Sequence, residues 1–300
     1  CGSMSFANAI DVVSNSARGS FAVAAGGGIL GVADVDDACG LADLNGDGLP
    51  ELVVARVASP SAMLDDTSLR YHTNTGGGSF STTATSIGYA CSRTAVLGGN
   101  SKCPTNLATG DLNGDGHVDI VDCQGNTLIN DGTGRFTVKA QPNLAGSQDD
   151  LALGDMDGDG DLDLVTRSRG LTPDVDTCSN NCFISGELHV FKNDGTGSFA
   201  ASSSSAAVNV HAQYQPTFRL GDLDMDGDLD IISSRDLFCN DGSGGIAACN
   251  FQLPDSPGTP GYIMDPASVL LADADDDGDL DILVRSRAGN GGNGLDELAV

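Results

Sequence analysis

The stretch LGDMDGDGDLDLV, from Leu153 to Val165, places five aspartates on alternate positions within nine residues. Glycines lie between several of these aspartates, and an apolar run follows at once. Two like charges about 4 Å apart repel each other by roughly 4 kcal/mol at the effective dielectric of a protein surface. Because a bound cation would offset this repulsion, the stretch predicts a metal-binding loop that leads into a strand.

The same motif occurs five times along the chain. It reads LADLNGDGLPELVV from Leu41, TGDLNGDGHVDIV from Thr109, LGDMDGDGDLDLV from Leu153, LGDLDMDGDLDII from Leu220 and LADADDDGDLDIL from Leu271. We call residues 43–51, 111–119, 155–163, 222–230 and 273–281 loops one to five and number the nine positions of each from its first aspartate. The loops hold 22 of the 42 acidic residues, and this concentration favours metal sites over a uniformly solvated acidic surface.

Positions 1, 3, 5 and 9 of each loop are predicted to supply side-chain oxygens, and position 7 a backbone carbonyl, around a sharp turn at the position 6 glycine. The predicted side-chain ligands are Asp43, Asn45, Asp47, Glu51, Asp111, Asn113, Asp115, Asp119, Asp155, Asp157, Asp159, Asp163, Asp222, Asp224, Asp226, Asp230, Asp273, Asp275, Asp277 and Asp281. The predicted carbonyl donors are Leu49, His117, Asp161, Asp228 and Asp279.

Hard oxygen ligands in sixes and sevens favour Ca²⁺ over Mg²⁺ and over softer metals, so up to five Ca²⁺ ions are predicted. Loops one and two have fewer carboxylates and are expected to bind more weakly. An EF-hand is excluded because position 12 carries no glutamate and the following residues are typical of strands, not helices. Position 12 is occupied by Val54, Asp122, Thr166, Ser233 and Val284.

A second motif alternates with the Asp loops and predicts β-hairpins. It reads LINDGTGRF up to Phe136, VFKNDGTGSF up to Phe199 and LFCNDGSGGIAACNF up to Phe251, with looser copies ending at Phe80 and Phe21. Asn-Asp-Gly runs between apolar residues are strong hairpin signals, because the turn needs positive φ angles. Each unit therefore reads as strand, Asp loop, strand, connection, strand, hairpin turn and strand, which is an all-β, four-stranded antiparallel sheet.

The five D-x-D-x-D-G-x-x-D loops, in phase with the hairpin motifs, resemble those of the FG-GAP/VCBS repeats. The resemblance covers nearly the whole chain. It implies a single β-propeller domain over residues 1–300, with about five four-stranded blades and structural calcium between the first and second strands of each blade. The last blade is expected to combine C-terminal strands, including NGLDELAV, with an N-terminal strand from CGSMSF; the alternative is a fragment of a longer repeat array.

The composition of the chain limits the kinds of partner and the cellular location that we expect for it. The formal charge of −28, without a basic patch, argues against nucleic acid, and no apolar run is long enough for membrane insertion. Nine cysteines without zinc-type pairs favour disulfides and a secreted or cell-surface location. The spacing suggests the pairs Cys239–Cys249, Cys178–Cys182 and Cys91–Cys103, with Cys103–Cys123 as an alternative to the last.

No catalytic motif is present, and His72, His117, His189 and His211 have no metal-ligand spacing, so an enzyme is not expected. The sequence predicts an adhesion or recognition module for an extracellular glycan or protein, contacted through the long connections 57–70, 81–104 and 168–186. Two alternatives remain open. One is a structural subunit of an extracellular filament or wall assembly, which would self-associate. The other is a carbohydrate-active enzyme, because some polysaccharide lyases use similar propellers.

Overall fold

The computed structural model describes residues 8–10, 13–16, 20–23, 29–32, 36–57, 66–92, 107–122, 125–141, 150–169, 183–200, 204–211, 218–233, 236–251, 253, 263–287 and 297–299. All regular structure in these residues is β-strand, as predicted for an all-β fold. Since the described residues form no helix, none of them belongs to a helix that could cross a membrane.

The strands of the described residues are numbered in chain order, and all pairings between them are antiparallel. Two small pairs come first, β1 (Asn8–Ile10) with β4 (Ile29–Val32) and β2 (Val13–Ser16) with β3 (Ser20–Val23). Sheet one consists of β5 (Asp36–Ala42), β6 (Glu51–Val57), β7 (Asp66–His72) and β10 (Thr85–Ser92). Between its last two strands lies the small hairpin of β8 (Asn74–Gly76) and β9 (Ser79–Phe80).

Four further sheets carry the remaining Asp loops. Sheet two consists of β11 (Ala108–Gly110), β12 (Asp119–Val121), β13 (Thr127–Asn130) and β14 (Phe136–Lys139). Sheet three consists of β15 (Asp150–Gly154), β16 (Asp163–Arg169), β17 (Phe183–Phe191) and β18 (Ser204–His211). Sheet four consists of β19 (Phe218–Gly221), β20 (Asp230–Ser233), β21 (Asp236–Asn240) and β22 (Ile246–Ala248). Sheet five consists of β23 (Ile263–Ala272), β24 (Asp281–Arg287) and β25 (Glu297–Ala299).

The predicted strand order is confirmed. In every one of these sheets the Asp loop joins the first strand to the second, and in sheets two to four the Asn-Asp-Gly turn joins the third to the fourth. The C-terminal segment forms the third strand of sheet five, because β25 pairs with β24. The fourth strand predicted from residues 1–6 lies outside the described residues, so the shared last blade stays a prediction.

The chain divides into two compact units, Cys1–Ser147 and Gln148–Val300. The first unit contains sheets one and two, and the second contains sheets three to five. Within the first unit, Val53 and Leu69 of sheet one are fully buried in one cluster with Ile120 and Leu128 of sheet two. The predicted single closed domain is not tested by this division and stays a prediction.

In the second unit, sheet four lies between its two neighbours. Ile231 is buried in a cluster with Val165 of sheet three, and the next residue, Ile232, is buried with Val269 of sheet five. Successive residues of a strand point to opposite faces, so both faces of β20 are covered. This explains why the residues after each Asp loop form a continuous apolar run and do not alternate with polar residues.

Glycine or alanine precedes every Asp loop, and in loops three and four this residue is a glycine that the next sheet approaches closely. A Cβ atom on Gly154 would lie 2.8 Å from Leu229 Cδ1 and 2.9 Å from Leu220 Cδ1, both in sheet four. A Cβ atom on Gly221 of sheet four would likewise lie 2.7 Å from Leu271 Cδ1 and 2.9 Å from Leu280 Cδ1, both in sheet five. At Gly154 and Gly221, the small residue before the first aspartate therefore makes room for leucines of the next sheet.

One predicted disulfide is confirmed. Cys239 of β21 is bonded to Cys249, just after β22, and the bond spans the hairpin of sheet four. The pairs Cys178–Cys182 and Cys91–Cys103, and the alternative Cys103–Cys123, each include a residue outside the described part of the chain, so they stay predictions.

Candidate metal centres

Each Asp loop is folded by hydrogen bonds from its own backbone to its own carboxylates. In all five loops the N–H of the position 6 glycine donates to the first aspartate, with N to O distances from 2.8 to 3.1 Å. The N–H of position 7 donates to the carboxylate of position 5 at 2.8 to 3.0 Å. The position 6 glycines have φ between 85° and 98°, the left-handed region that glycine adopts without steric cost.

Position 4 also adopts a left-handed backbone, which the sequence analysis missed. Gly46, Gly114 and Gly158 have φ of 71° to 73° at this position, and their recurrence was the available signal. Loops four and five place Met225 and Asp276 there, at φ of 61° and 64°. These two loops therefore hold a strained residue at position 4, because left-handed backbone is disfavoured for residues with a Cβ atom.

Position 9 has a second role besides its predicted ligation. Its side chain is fully buried in loops one to four. In loop four, one carboxylate oxygen of Asp230 accepts the N–H of Leu223 at loop position 2, and the other accepts the N–H of Asn240, both at 2.9 Å. Equivalent pairs of bonds form in the first three loops, with the Asn74 bond longer at 3.5 Å. Position 9 therefore ties the Asp loop to the hairpin of the same sheet.

The hairpin asparagine extends this tie to the preceding sheet. The side-chain amide of Asn240 donates to the carbonyl of Met156 in loop three at 2.8 Å. In the first unit, the amide of Asn130 donates to the carbonyl of Leu44 in loop one at 2.9 Å. The side-chain oxygen of each asparagine accepts the N–H of the glycine four residues later, at 3.2 Å. The Asn-Asp-Gly motif is therefore a contact between sheets as well as a turn.

Replacing the asparagine of sheet four is expected to destabilise the protein markedly. Asn240→Ala leaves the buried carbonyl of Met156 without this donor and removes the acceptor within the turn, which costs about 2–3 kcal/mol. Urea unfolding followed by circular dichroism measures the loss. Asn250→Ala is the matched control, because Asn250 is exposed and lies ten residues further along the same chain segment. Equal stability of the two variants would contradict the contact between sheets.

Carboxylates converge in three of the loops. Groups of three carboxylates, whose oxygens lie within 4.8 Å of one another, occur in loops three, four and five. Their members are Asp155, Asp157 and Asp163, then Asp222, Asp224 and Asp226, then Asp273, Asp275 and Asp281. Oδ1 of Asp157 and Oδ1 of Asp222 are buried and accept no hydrogen bond. Because a buried charged oxygen without a partner is costly, and because all the donors are hard oxygens, these residues fit a Ca²⁺ ion.

Loops one and two differ from the others at position 3, where an asparagine replaces the aspartate. Its side-chain amide donates to a carboxylate within the loop, from Asn45 to Glu51 at 3.1 Å and from Asn113 to Asp115 at 2.9 Å. These loops therefore carry less negative charge, and one of their carboxylates already accepts a hydrogen bond from the asparagine amide. This is consistent with the expectation that they bind metal more weakly, which stays a prediction.

Side chains at position 7 lie against the hairpin glycine of the same sheet. His117 lies against Gly132 in this way, and the carboxylate of Asp161 lies against Gly195. The side chain of Asp228 is placed likewise on Gly242. The backbone N–H of position 7 is used within the loop, and ligation by the position 7 carbonyls stays a prediction.

Burial raises the pKa of the position 9 carboxyls Asp119, Asp163 and Asp230. The two backbone N–H groups that each one accepts lower its pKa in part, and neighbouring loop aspartates raise it further. The protein therefore holds these carboxylates in surroundings that disfavour negative charge. A cation in the loop would reverse this effect, because an adjacent positive charge favours the ionised form.

A lysine of the sheet three hairpin lies beside loop three, and the sequence analysis did not identify it. Nζ of Lys192 lies 3.0 Å from Oδ2 of Asp157, the position 3 carboxylate. Lys192 directly precedes the hairpin asparagine of sheet three. In sheet four the same place is occupied by Cys239, whose sulfur lies within 4.8 Å of carboxylate oxygens of Asp224 and Asp230. The residue before the hairpin asparagine is therefore placed beside the Asp loop.

Comparison with known families agrees with this geometry. Residues 43–121 match the family model of the FG-GAP-like repeat, from the first aspartate of loop one to just beyond loop two. This match confirms, for residues 43–121, the resemblance to FG-GAP/VCBS repeats that was drawn from the motifs. Repeats of this family suggest an extracellular module of the adhesion type. A search of the curated proteins found no match.

Proposed function

We propose that the chain is a secreted or cell-surface calcium-binding β-propeller of about five blades that recognises an extracellular glycan or protein. Calcium has a structural role in this proposal. One observation carries it: the same nine-residue loop, folded by the same hydrogen bonds, recurs between the first and second strands of five sheets. The partnerless buried oxygens of Asp157 and Asp222 support a cation in these loops.

The side chains at positions 1, 3, 5 and 9 would hold the ion in each loop, together with the carbonyl at position 7. Calcium would supply the positive charge that the clustered aspartates need. Position 9 is buried and bonded to the hairpin, so the ion would stabilise the loop, the hairpin and, through the hairpin asparagine, the preceding sheet. A rigid ring with unequal connections would then present the recognition surface.

Exposure of one leucine supports a further sheet beside sheet one. Leu220 and Leu271 pack on the small residue of the preceding sheet, and Leu41 holds the same place in sheet one. Leu41 is nevertheless 60% exposed. A ring would cover it with the last blade. A contact between two copies of the chain would cover Leu41 as well. The exposure of Leu41 therefore makes the structural subunit the second candidate function. Light scattering on purified protein separates the two, because only the second produces long oligomers.

Recognition is tested with purified, calcium-saturated protein on an array of extracellular glycans and on immobilised matrix proteins. Saturable binding that leaves the glycan intact is expected. Asp226→Asn is the control for the structural role of calcium, because it removes a predicted ligand in loop four and should lower the thermal midpoint without changing ligand affinity at 20 °C. Release of unsaturated sugar ends would instead indicate a polysaccharide lyase, and binding to neither array would contradict a recognition module.

A further inference from the structure

The ion pair between Lys192 and Asp157 is held in place by the backbone on both sides of the lysine. Lys192 follows Phe191, the last residue of β17, and its carbonyl accepts the N–H of Ala200 at 2.8 Å. The next residue, Asn193, donates its N–H to Asp163 of loop three at 2.8 Å. Because the hairpin is tied to the loop in this way, the ammonium group is directed at the loop by the fold of the sheet.

In the three other sheets whose hairpin asparagine is described, the equivalent residue carries no charge. The place before the hairpin asparagine is taken by Thr73 in sheet one, Ile129 in sheet two and the disulfide-bonded Cys239 in sheet four. Sheet three is therefore distinguished, among the four sheets with a described hairpin asparagine, by a cationic side chain beside its Asp loop. Loop three has five aspartates, as loop four does, against three acidic residues each in loops one and two.

Lys192 and a divalent ion would share the same carboxylate. Oδ2 of Asp157 faces the ammonium group, whereas its Oδ1 is buried and accepts no hydrogen bond. The side chain of Asp157 is 14% exposed and that of Lys192 is 31% exposed, so water screens their attraction only in part. A metal ion bound at position 3 would lie close to this ammonium group, and the two positive charges would repel each other.

We propose that Lys192 is an internal counter-cation that sets the divalent-ion affinity of loop three. It stabilises the crowded aspartates when the ion is absent and weakens the binding of the ion when it arrives. Lys192 is thus a positioning residue for Asp157, and the inference rests on the proposed calcium function. The residue before the hairpin asparagine would tune each loop separately, so that one chain contains sites of graded affinity.

Calorimetric titration of calcium-stripped protein with CaCl₂ tests the inference. Lys192→Met keeps an unbranched side chain, shorter by one atom, and removes its charge. It is expected to tighten one site by about five- to tenfold, the effect of one partly screened charge. Lys192→Arg keeps the charge and should behave like the wild type. Lys139→Met is the matched control, since it removes the same charge from β14 in the other unit.

Two further measurements assign the effect to loop three. In an Asp159→Asn background, where loop three lacks a predicted ligand, Lys192→Met should no longer change the titration. In chelator, Lys192→Met should lower the thermal midpoint by about 1–3 °C, because the aspartates lose their counter-charge. A merely structural lysine would not produce opposite changes in metal-free stability and in calcium affinity.

The outcomes separate this inference from the proposed function. An unchanged titration of Lys192→Met beside clear calcium binding would overturn the role of Lys192 and leave the calcium proposal standing. An equal gain in calcium affinity in Lys139→Met would also overturn the role of Lys192, because the gain would then come from the change in net charge. If the wild-type protein binds no calcium, the proposed function and the affinity role of Lys192 fail together, and the chelator measurement alone decides whether Lys192 stabilises loop three.

Discussion

Chelation of calcium is expected to lower the midpoint of thermal unfolding by about 5 °C or more. An ion that binds only the folded state, present at about 100 times its dissociation constant, stabilises that state by about 2.7 kcal/mol per site. For domains of this size, about 1 kcal/mol shifts the midpoint by roughly 2–4 °C. Loops three, four and five are expected to contribute most, because their carboxylates converge.

Differential scanning calorimetry in 2 mM CaCl₂ and in EDTA measures this shift, and excess calcium added back to the EDTA sample should restore the midpoint. Magnesium is the control cation, because it requires stricter octahedral geometry and should restore less. An unchanged midpoint in EDTA would contradict the assignment of the Asp loops as calcium sites.

The shift is expected to widen as the pH rises. Burial raises the pKa of Asp119, Asp163 and Asp230 above the ordinary value of 3.8, so the folded metal-free protein binds protons more tightly than the unfolded chain. Stability from these groups is therefore fully present below pH 3.8 and is lost as the pH rises through the raised values. Calcium requires ionised carboxylates, so its stabilising effect grows over the same window.

Asp230→Asn is expected to destabilise the protein by about 2–4 kcal/mol even in chelator, whereas Asp226→Asn should cost almost nothing there. Both residues are predicted ligands of loop four. Asp230 is buried and accepts one N–H on each oxygen, so an amide would lose one bond and place a donor against an N–H. Asp226 is exposed and accepts the N–H of Asp228 on a single oxygen, which an amide can replace.

Urea unfolding of the two variants, each in calcium and in EDTA, separates the effect of metal ligation from the effect of the hydrogen bonds between loop and hairpin. In calcium, both variants should lose the contribution of the loop four ion. In EDTA, only Asp230→Asn should remain less stable than the wild type. If the two variants were equally stable in EDTA, position 9 would act as a metal ligand alone, and its hydrogen bonds would be of no consequence for folding.

The sequence was sufficient for the local elements of this fold. The aspartate spacing and the glycine at position 6 predicted five tight loops, and the structure forms each of them with the same two sets of hydrogen bonds. The Asn-Asp-Gly runs predicted the hairpins of sheets two to four. The pairing of Cys239 with Cys249 also followed from spacing, since the two residues flank one turn. Each of these features depends on residues close together in the chain.

Other features could not be read from the spacing. Asn240 looked like a turn residue, yet its amide reaches Met156, 84 residues earlier in the chain. Asp230 looked like one ligand among four, yet it also accepts the N–H of Asn240 and so connects the loop to the hairpin. Lys192 lies within a hairpin motif, but its charge had no predicted role, because its significance depends on where β17 places it relative to Asp157.

The amino-acid sequence by itself determined that this protein contains five acidic turns and several hairpins, because turn geometry depends on the backbone preferences of a few adjacent residues. Only the tertiary structure decided which carboxylates are buried, which are braced by a hairpin and which one is paired with a lysine. Those properties arise where the hairpin of a sheet lies against its own Asp loop, as with Lys192 and Asp157, and where neighbouring sheets pack together. They therefore depend on contacts between residues far apart in the chain, which no local pattern specifies.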